Sequence, residues 1–410
     1  MRRQLWVVNH HASAPMKDGR NGRHHELAKK LKELGWDVTI VVASTTHPQG
    51  RQVLEGPRLR RNVTDDGVEY LWIKSVPYNS IALMRIVGMV SFTAGALLTR
   101  NTRDLPRPDA VIGSTVHPLA AWAGLRLARR HNARFIYEIR DLWPETLVDL
   151  NAIGPRHPVV RAMKSLSLSM ARQAEFVLSP LPGVDAYLDE NGVHTPFAWI
   201  PNGADSSLSE LDREAQETPS RRTFDFMYLG SHGRANALDT LLIAFDRTCR
   251  RLPKAELRFR LIGDGPLKPE LERCAASLPY GDRINFEERI PRAKVNARAR
   301  EADCLVVNLR DKGVYRYGIS LNKIFDYMLA ERPIIIGSSA VNNPVEDAKA
   351  GLSVAADDAD ALSAAMVQMY KMDEEARADM GSNGRYDVLQ KYSYQTLAKR
   401  LAARLDGMFA

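Results

Sequence analysis

Tyr317-Gly318-Ile319-Ser320-Leu321-Asn322-Lys323-Ile324-Phe325-Asp326-Tyr327-Met328-Leu329-Ala330-Glu331-Arg332-Pro333-Ile334-Ile335-Ile336 reads as a polar turn, a short amphipathic helix and a buried strand. That order predicts Asp326 on the first turns of a helix whose positive end can face an anion. A helix delivered into a continuously apolar strand is the building unit of a parallel sheet covered on both faces. The same alternation runs outward in both directions. Toward the N-terminus, strands are expected at Leu5–Val8, Val38–Ala43, Val68–Ile73, Ala110–Gly113, Phe135–Ile139 and Phe176–Leu178, with helices such as Arg23–Leu34, Leu119–His131 and Val159–Ala174 between them. The pattern restarts at Phe224–Leu229, Leu257–Ile262, Ile284–Phe286, Cys304–Leu309, Ile334–Gly337 and Leu352–Ala355. Between the two series, Phe197 to Asp205 leads into a Ser- and charge-rich stretch from Ser206 to Arg222, read as a linker. Two α/β domains are therefore expected, residues 1–200 and 201–393, with a long amphipathic helix from Tyr394 closing the chain.

A chain of 410 residues exceeds what one hydrophobic core usually supports, which agrees with two domains. The net charge of +8 belongs to the first half, where 26 Lys/Arg face 18 Asp/Glu, while residues 201–410 balance at 31 each. Such an excess suits nucleic acid, an anionic membrane or a phosphorylated acceptor, and charge alone does not choose among them. Cys249, Cys274 and Cys304 stand apart without a Cys-x-x-Cys pair, so neither zinc nor a disulfide framework is suggested, and all three read as buried thiols in a reducing cytoplasm. The stretch from Ile81 to Leu98 is apolar apart from Arg85 and is followed by Arg100, Arg103 and Arg107. Its uncharged run is too short to span a bilayer, which leaves a core helix or a helix lying on a membrane surface.

Ligands of open α/β sheets bind beyond the carboxyl ends of strands, so the strand-to-helix turns hold the candidate chemistry. Gly230-Ser231-His232-Gly233-Arg234 follows the first strand of the second domain: two glycines, free N–H groups and one cation suit a diphosphate. Gly263-Asp264-Gly265-Pro266 has too few glycines for a dinucleotide fingerprint. In the first domain, Gly19-Arg20-Asn21-Gly22-Arg23 opens a helix as a basic turn without the Gly-Lys-Ser/Thr ending of a P-loop. His117 closes the fourth strand, as a structural residue or as a ligand for a sugar hydroxyl. Glu138-Ile139-Arg140-Asp141-Leu142-Trp143-Pro144-Glu145 closes the fifth, where Arg140 and the acids either pair to stiffen the turn or face a ligand.

These motifs, in order and over nearly the whole chain, resemble the retaining GT-B glycosyltransferases of family 4. The closest likeness is to the branch that builds bacterial surface polysaccharides with amino-deoxyhexoses, carried by Gly-Ile-Ser-x-Asn-Lys-x-Phe-Asp-Tyr-Met and Glu-x-Arg-Asp-Leu-Trp-Pro-Glu. The resemblance implies two Rossmann-like, doubly wound domains facing across a cleft, with the helix of residues 394–410 packing back on the first. The family signature has two acids separated by seven residues; here the second is Asp326, expected to bind ribose, and Gly318 stands at the first. Backbone N–H groups of Gly318, Ile319, Ser320 and Leu321, with Asn322, are then expected at the donor sugar or phosphate. Gly230, Ser231, His232, Gly233 and Gly263 belong to the same donor site, and Ile290 to the segment that pairs with a uracil edge. The family clamps the diphosphate with an Arg and a nearby Lys; Arg234 matches the first, whereas Asn236 stands where the Lys belongs. The resemblance leaves Lys323, Arg310 or Arg316 to supply that charge.

The implied activity is transfer of a sugar, with retention, from a UDP-hexose or UDP-N-acetyl(deoxy)hexosamine to a saccharide acceptor carried on a lipid diphosphate. Arg234, Lys323, Arg20, His117 and Asp141 are the expected catalytic groups, and Gly19, Gly22, Glu138 and Arg140 line the acceptor side. No cofactor or metal and no nucleic-acid partner is expected. The implied place is the cytoplasm, peripherally at the inner face of the cytoplasmic membrane. Two other readings remain: a GT-B sugar-nucleotide epimerase, which would isomerise donor alone, and a non-catalytic, partner-dependent subunit, which Gly318 suggests.

Overall fold

The computed structural model describes residues 2–15, 22–47, 49–56, 60–64, 66–78, 82–115, 117–145, 154, 156–205 and 223–410. The chain divides into two compact units, Met1–Pro201 with Tyr394–Ala410, and Asn202–Ser393.

The first unit is built on an eight-stranded sheet: β1 (Arg3–Val8), β2 (Trp36–Ala43), β3 (Arg60–Val63), β4 (Glu69–Ile73), β5 (Ala110–Ser114), β6 (Arg134–Glu138), β7 (Phe176–Ser179) and β8 (Phe197–Trp199). Their order is β3-β4-β2-β1-β5-β6-β7-β8, parallel except where β3 meets β4. Each central strand is apolar along its length because helices cover both of its faces. Those helices include α1 (Arg23–Glu33), α2 (Ala82–Leu97), α3 (Pro118–His131), α4 (Pro158–Arg172) and α5 (Val184–Glu190).

Two elements differ from the sequence reading. Phe197–Trp199, expected to lead into a linker, is the last strand of this sheet, its register fixed by Val177 opposite Phe197. Arg60–Val63 pairs antiparallel on the far edge, where an Arg-Arg-Asn-Val string is tolerated because an edge strand has one open side. The stretch 206–222 lies outside the described residues.

The second unit carries β9 (Phe224–Leu229), β10 (Leu257–Ile262), β11 (Ile284–Glu287), β12 (Cys304–Asn308), β13 (Ile334–Gly337) and β14 (Gly351–Val354), all parallel in the order β11-β10-β9-β12-β13-β14. Its helices include α6 (Leu238–Arg251), α7 (Lys268–Ala276), α8 (Asn322–Leu329), α9 (Ala359–Lys371) and α10 (Glu374–Lys391). Phe226, Tyr228, Leu241, Phe245, Phe259 and Met366 share one core. Cys249 and Cys304 are buried, but Cys274, expected to be buried, is half-exposed on α7.

In each sheet the order reverses beside the first strand, between β1 and β5 and between β9 and β12. Crevices form outside such reversal points because the helices after the two strands depart to opposite faces.

The closing helix α11 (Tyr394–Asp406) belongs to the first unit. Its Leu397, Ala398, Leu401, Ala402 and Leu405 join Leu27, Leu31 and Trp36 in one core cluster, and Asp406 accepts from Arg3 at 2.8 Å and from the Trp36 indole at 3.1 Å. Leu401→Ala should therefore cost the first unit about 2–5 kcal/mol. All six tryptophans lie between Trp6 and Trp199, so denaturant unfolding followed by tryptophan fluorescence reads that unit alone.

Candidate active site

In the second unit the reversal point brings together the turn after β9 and helix α8. Lys323, in the first turn of α8, donates from Nζ to Asn236 Oδ1 and to the Tyr228 hydroxyl, each at 2.7 Å. Tyr228 in turn donates to Ser231 O at 2.8 Å, and Asn236 Nδ2 donates to the same carbonyl at 2.8 Å. The four groups close a ring that fixes the Gly230–Asn236 turn. Both partners of Lys323 are neutral, and among the described residues it has no acidic one. Burial lowers its pKa to about 7.

The position where the sequence lacks the expected lysine is thus the one that Lys323 reaches from another helix. The other two candidates are committed elsewhere. Arg310 holds Asp239 at 2.6 Å and both Asp357 oxygens at 3.1 Å, and Arg316 lies on Tyr317. Arg234, exposed at the tip of the same turn, has no side-chain partner among the described residues.

Gly263 lets a second turn approach: a Cβ there would stand 1.9 Å from Gly230 O. His232 was expected to touch the donor, but it is fully buried beneath this crossing of turns. Burial and the neighbouring Lys268 lower its pKa to about 4, so it packs as a neutral ring.

Gly318 has φ +107 and ψ 172, a conformation open to glycine and strained for any residue with a Cβ. The carboxylate expected at this place is therefore missing because the backbone turns here in a way that a glutamate would resist. The four N–H groups expected to face a donor divide. Gly318 N–H goes to Tyr315 O at 2.9 Å and Ile319 N–H to Asn342 Oδ1 at 2.8 Å, so both are spent within the fold. The Ser320 hydroxyl accepts from Asn202 N–H at 2.8 Å, and its carbonyl accepts from Asn202 Nδ2 at 2.5 Å. Leu321 caps α8, and the N–H groups of Ser320, Leu321 and exposed Asn322 have no acceptor among the described residues.

Asp326 is buried, and both its oxygens receive the Arg292 guanidinium. Burial raises its pKa while Arg292 opposes the shift. A ribose reaching this carboxylate would compete with that ion pair. Arg292 follows half-buried Ile290 and exposed Pro291, so its ion pair with Asp326 ties the expected base-pairing segment to α8. Tyr327 fixes α8 to the end of β9, donating to Leu229 O at 2.9 Å and accepting from Leu229 N–H at 2.6 Å.

A second cluster stands at the reversal point of the first unit. Glu138, fully buried at the end of β6, accepts from His24 Nε2 at 2.6 Å and Arg23 Nε at 3.2 Å. Burial alone would raise its carboxyl, but His24, Arg23 and Arg140 outweigh that and hold it well below the usual carboxylate range. Asn9 donates to Ser114 Oγ at 2.9 Å and lies 3.5 Å from His24 Nδ1, which casts His24 as a neutral ring with its proton on Nε2. Arg23 also donates to the carbonyls of Ile200 and Pro201, so the Glu138 cluster ties the end of β6 to that segment. Arg140 differs: its amide binds Thr115 Oγ1 at 2.9 Å, and its guanidinium has no partner among the described residues. Asp141 beside it is exposed.

His117 accepts from Ala120 N–H at 3.3 Å and meets His10 Nδ1 at 2.7 Å through Nε2, so both ring nitrogens are occupied and the structural role is the one its contacts show. Gly22 caps α1. Gly19 and Arg20 lie outside the described residues. The sequence reading missed His24, Tyr228 and Arg292, because each acts through a partner far along the chain.

Residues 19–203 match the family model described as "Glycosyl transferase 4-like domain", and residues 223–372 match "Glycosyl transferases group 1". One model falls on each unit, together they cover most of the chain, and the chain belongs to the glycosyltransferases of GT-B fold. A GDP-mannose-dependent alpha-(1-6)-phosphatidylinositol monomannoside mannosyltransferase of Mycolicibacterium smegmatis is 29% identical over 174 residues, 41% of this chain and 44% of its own length. The counterpart from Mycobacterium tuberculosis (strain ATCC 25618 / H37Rv) is 28% identical over 171 residues. The chain thus spans less than half the length of the curated relatives it matches.

Among solved structures, sucrose-phosphate synthase from Thermosynechococcus elongatus superposes with a TM-score of 0.74 at 17% identity, covering 100% of this chain and 99% of that one. HepE from Anabaena in complex with UDP and glucose gives 0.68 at 13% identity, covering 99% and 100%. At these identities the likeness is one of fold.

Gly318→Ala should cost about 1–3 kcal/mol through backbone strain, seen as a lower Tm of the second unit, while Gly233→Ala, at ordinary backbone angles, should cost less.

Proposed function

We propose that this chain transfers a hexosyl group from a nucleoside-diphosphate sugar to an acceptor hydroxyl, with retention of configuration. The observation that carries the reading is Lys323: an ammonium held by two neutral oxygens against the turn that carries Arg234, and beside the open N–H groups of α8. A half-buried cation without a carboxylate partner has room for an anion from outside, and two cations with a helix N-terminus suit a diphosphate. Glycosyl transfer from such a donor breaks the anomeric C–O bond, and charge grows on the departing diphosphate. Groups already aimed at that charge lower the barrier without reorganising. Arg234, Lys323 and the α8 N–H groups would do this, and the diphosphate itself would take the acceptor proton. No step of this scheme calls on a metal.

The acceptor is proposed to be a saccharide on a lipid diphosphate, in surface-polysaccharide assembly at the cytoplasmic face of the membrane. The basic excess of the first half supports this, as does the phosphatidylinositol-borne acceptor in the names of the curated relatives. Half-buried Arg140, whose guanidinium makes no hydrogen bond among the described residues, is a group in the first unit suited to an acceptor phosphate. For the donor, UDP-hexoses and UDP-N-acetylhexosamines follow from the motif likeness and GDP-mannose from those names, so all three enter the test.

Calorimetry with UDP and GDP, followed by turnover with the matching sugars, tests the reading. Arg234→Ala and Lys323→Ala should each weaken binding of the productive nucleotide by about 1.5–3 kcal/mol and lower kcat more than they raise KM. A folded wild type that binds neither nucleotide would overturn it. The pH dependence has a definite sign. A diphosphate raises the pKa of Lys323 above its free value of about 7, so its contribution to affinity is complete below pH 7 and fades as pH rises through the bound value. Nucleotide affinity in wild type should therefore fall on the alkaline side, and Lys323→Ala should flatten that fall.

A further inference from the structure

Helix α2 is built with its small residues inward. A Cβ at Gly88 would stand 3.1 Å from Tyr78 Cδ1, and one at Gly95 would stand 2.5 Å from Ile73 Cγ2, so the helix lies close against β4 through glycine. Phe92 and Ala96 are fully buried on the same side, Phe92 stacked on His10 with ring centroids 4.8 Å apart. The large branched side chains point the other way: Leu83 is 66% exposed, Ile86 53%, Val87 39% and Val90 51%, with Leu98 at 47% just past the last turn. Spacings of three and four place them on one stripe.

The charges around that stripe are mostly positive. The helix has no acid and one cation, exposed Arg85, and exposed Arg100 and Arg103 follow it. Arg130 of α3 donates to Leu97 O at 2.7 Å, which sets a further exposed cation at the helix end. The one acid there is Asp104, 3.5 Å from Arg103 with both side chains largely exposed.

We propose that the outer face of α2 docks on an anionic lipid bilayer, with Leu83, Ile86, Val87 and Val90 at the acyl boundary and Arg100, Arg103 and Arg130 on headgroup phosphates. Among the described residues no helix is long and apolar enough to cross a membrane, so the helix lies in the surface plane. Charge decides against a second copy of the chain: an isologous contact through this face would bring Arg85, Arg100 and Arg103 toward their copies with Asp104 alone among the described residues to answer them. Through Phe92 and His10 the docked helix backs directly onto the His10–His117 end of the strand cluster. This deepens the reading of a lipid-borne acceptor and rests on it for its purpose, while the docking itself is measured without any donor.

Flotation with phosphatidylcholine vesicles, with and without phosphatidylglycerol, tests the surface. Wild type should float only with phosphatidylglycerol present and should release as salt rises. Combined Leu83→Glu, Ile86→Glu and Val90→Glu should cut partitioning on the order of a hundredfold, with circular dichroism and nucleotide affinity unchanged. Combined Arg100→Gln and Arg103→Gln should cut it roughly fivefold per arginine. Wild type that ignores phosphatidylglycerol vesicles at low salt would overturn the proposal. So would light scattering that shows a dimer which the triple glutamate variant dissolves. Vesicle binding by a protein that binds no nucleotide would sink the transferase reading and leave the docking face standing.

Discussion

A half-buried cation without a carboxylate partner is the constraint on which the second unit depends. Desolvating an ammonium is costly unless something answers its charge. Here Tyr228 and Asn236 answer it partly, and Ser231 O binds the two of them into a ring. That ring holds the turn after β9 in one shape and leaves the ammonium under-compensated, which also depresses its pKa. Tyr327 on Leu229 and Arg292 on Asp326 then pin the helix that carries Lys323. The geometry proposed to bind a diphosphate is therefore already assembled without a ligand, as electrostatic catalysis requires.

The first unit solves the opposite problem. Glu138 is a buried anion, fully answered by His24 and Arg23, and Arg23 carries its hold on to the chain leaving the unit at Ile200 and Pro201. Arg140 adds to the field that holds Glu138 ionised, while its guanidinium makes no hydrogen bond among the described residues. Within the segment from Glu138 to Glu145, Glu138 and Glu145, the latter accepting from Tyr187 at 2.6 Å, hold the turn.

The strands of both units were legible because buried parallel strands read as apolar runs; Phe224–Leu229 and Leu257–Ile262 have the same bounds in sequence and structure. Arg60–Val63 was not, because an edge strand of Arg, Arg, Asn and Val has no apolar period. Phe197–Trp199 was hidden by its brevity and by the polar stretch after it. At the site, the sequence displayed the gap at Asn236 and named Lys323 among those able to fill it, but not that the two would touch across 87 residues of chain. Gly318 was visible as a missing acid, yet only its positive φ explains why the acid is missing. The burial of His232 was not legible, because the crossing of a second turn over it leaves no local trace in the sequence.

The account rests on Lys323 standing in for a lysine at position 236, and moving the charge tests that directly. Isothermal titration of the productive nucleotide should show a loss of about 1.5–3 kcal/mol in Lys323→Met and recovery of a large part of it when Asn236→Lys is added to the same protein. Undiminished affinity in a folded Lys323→Met variant would contradict the account.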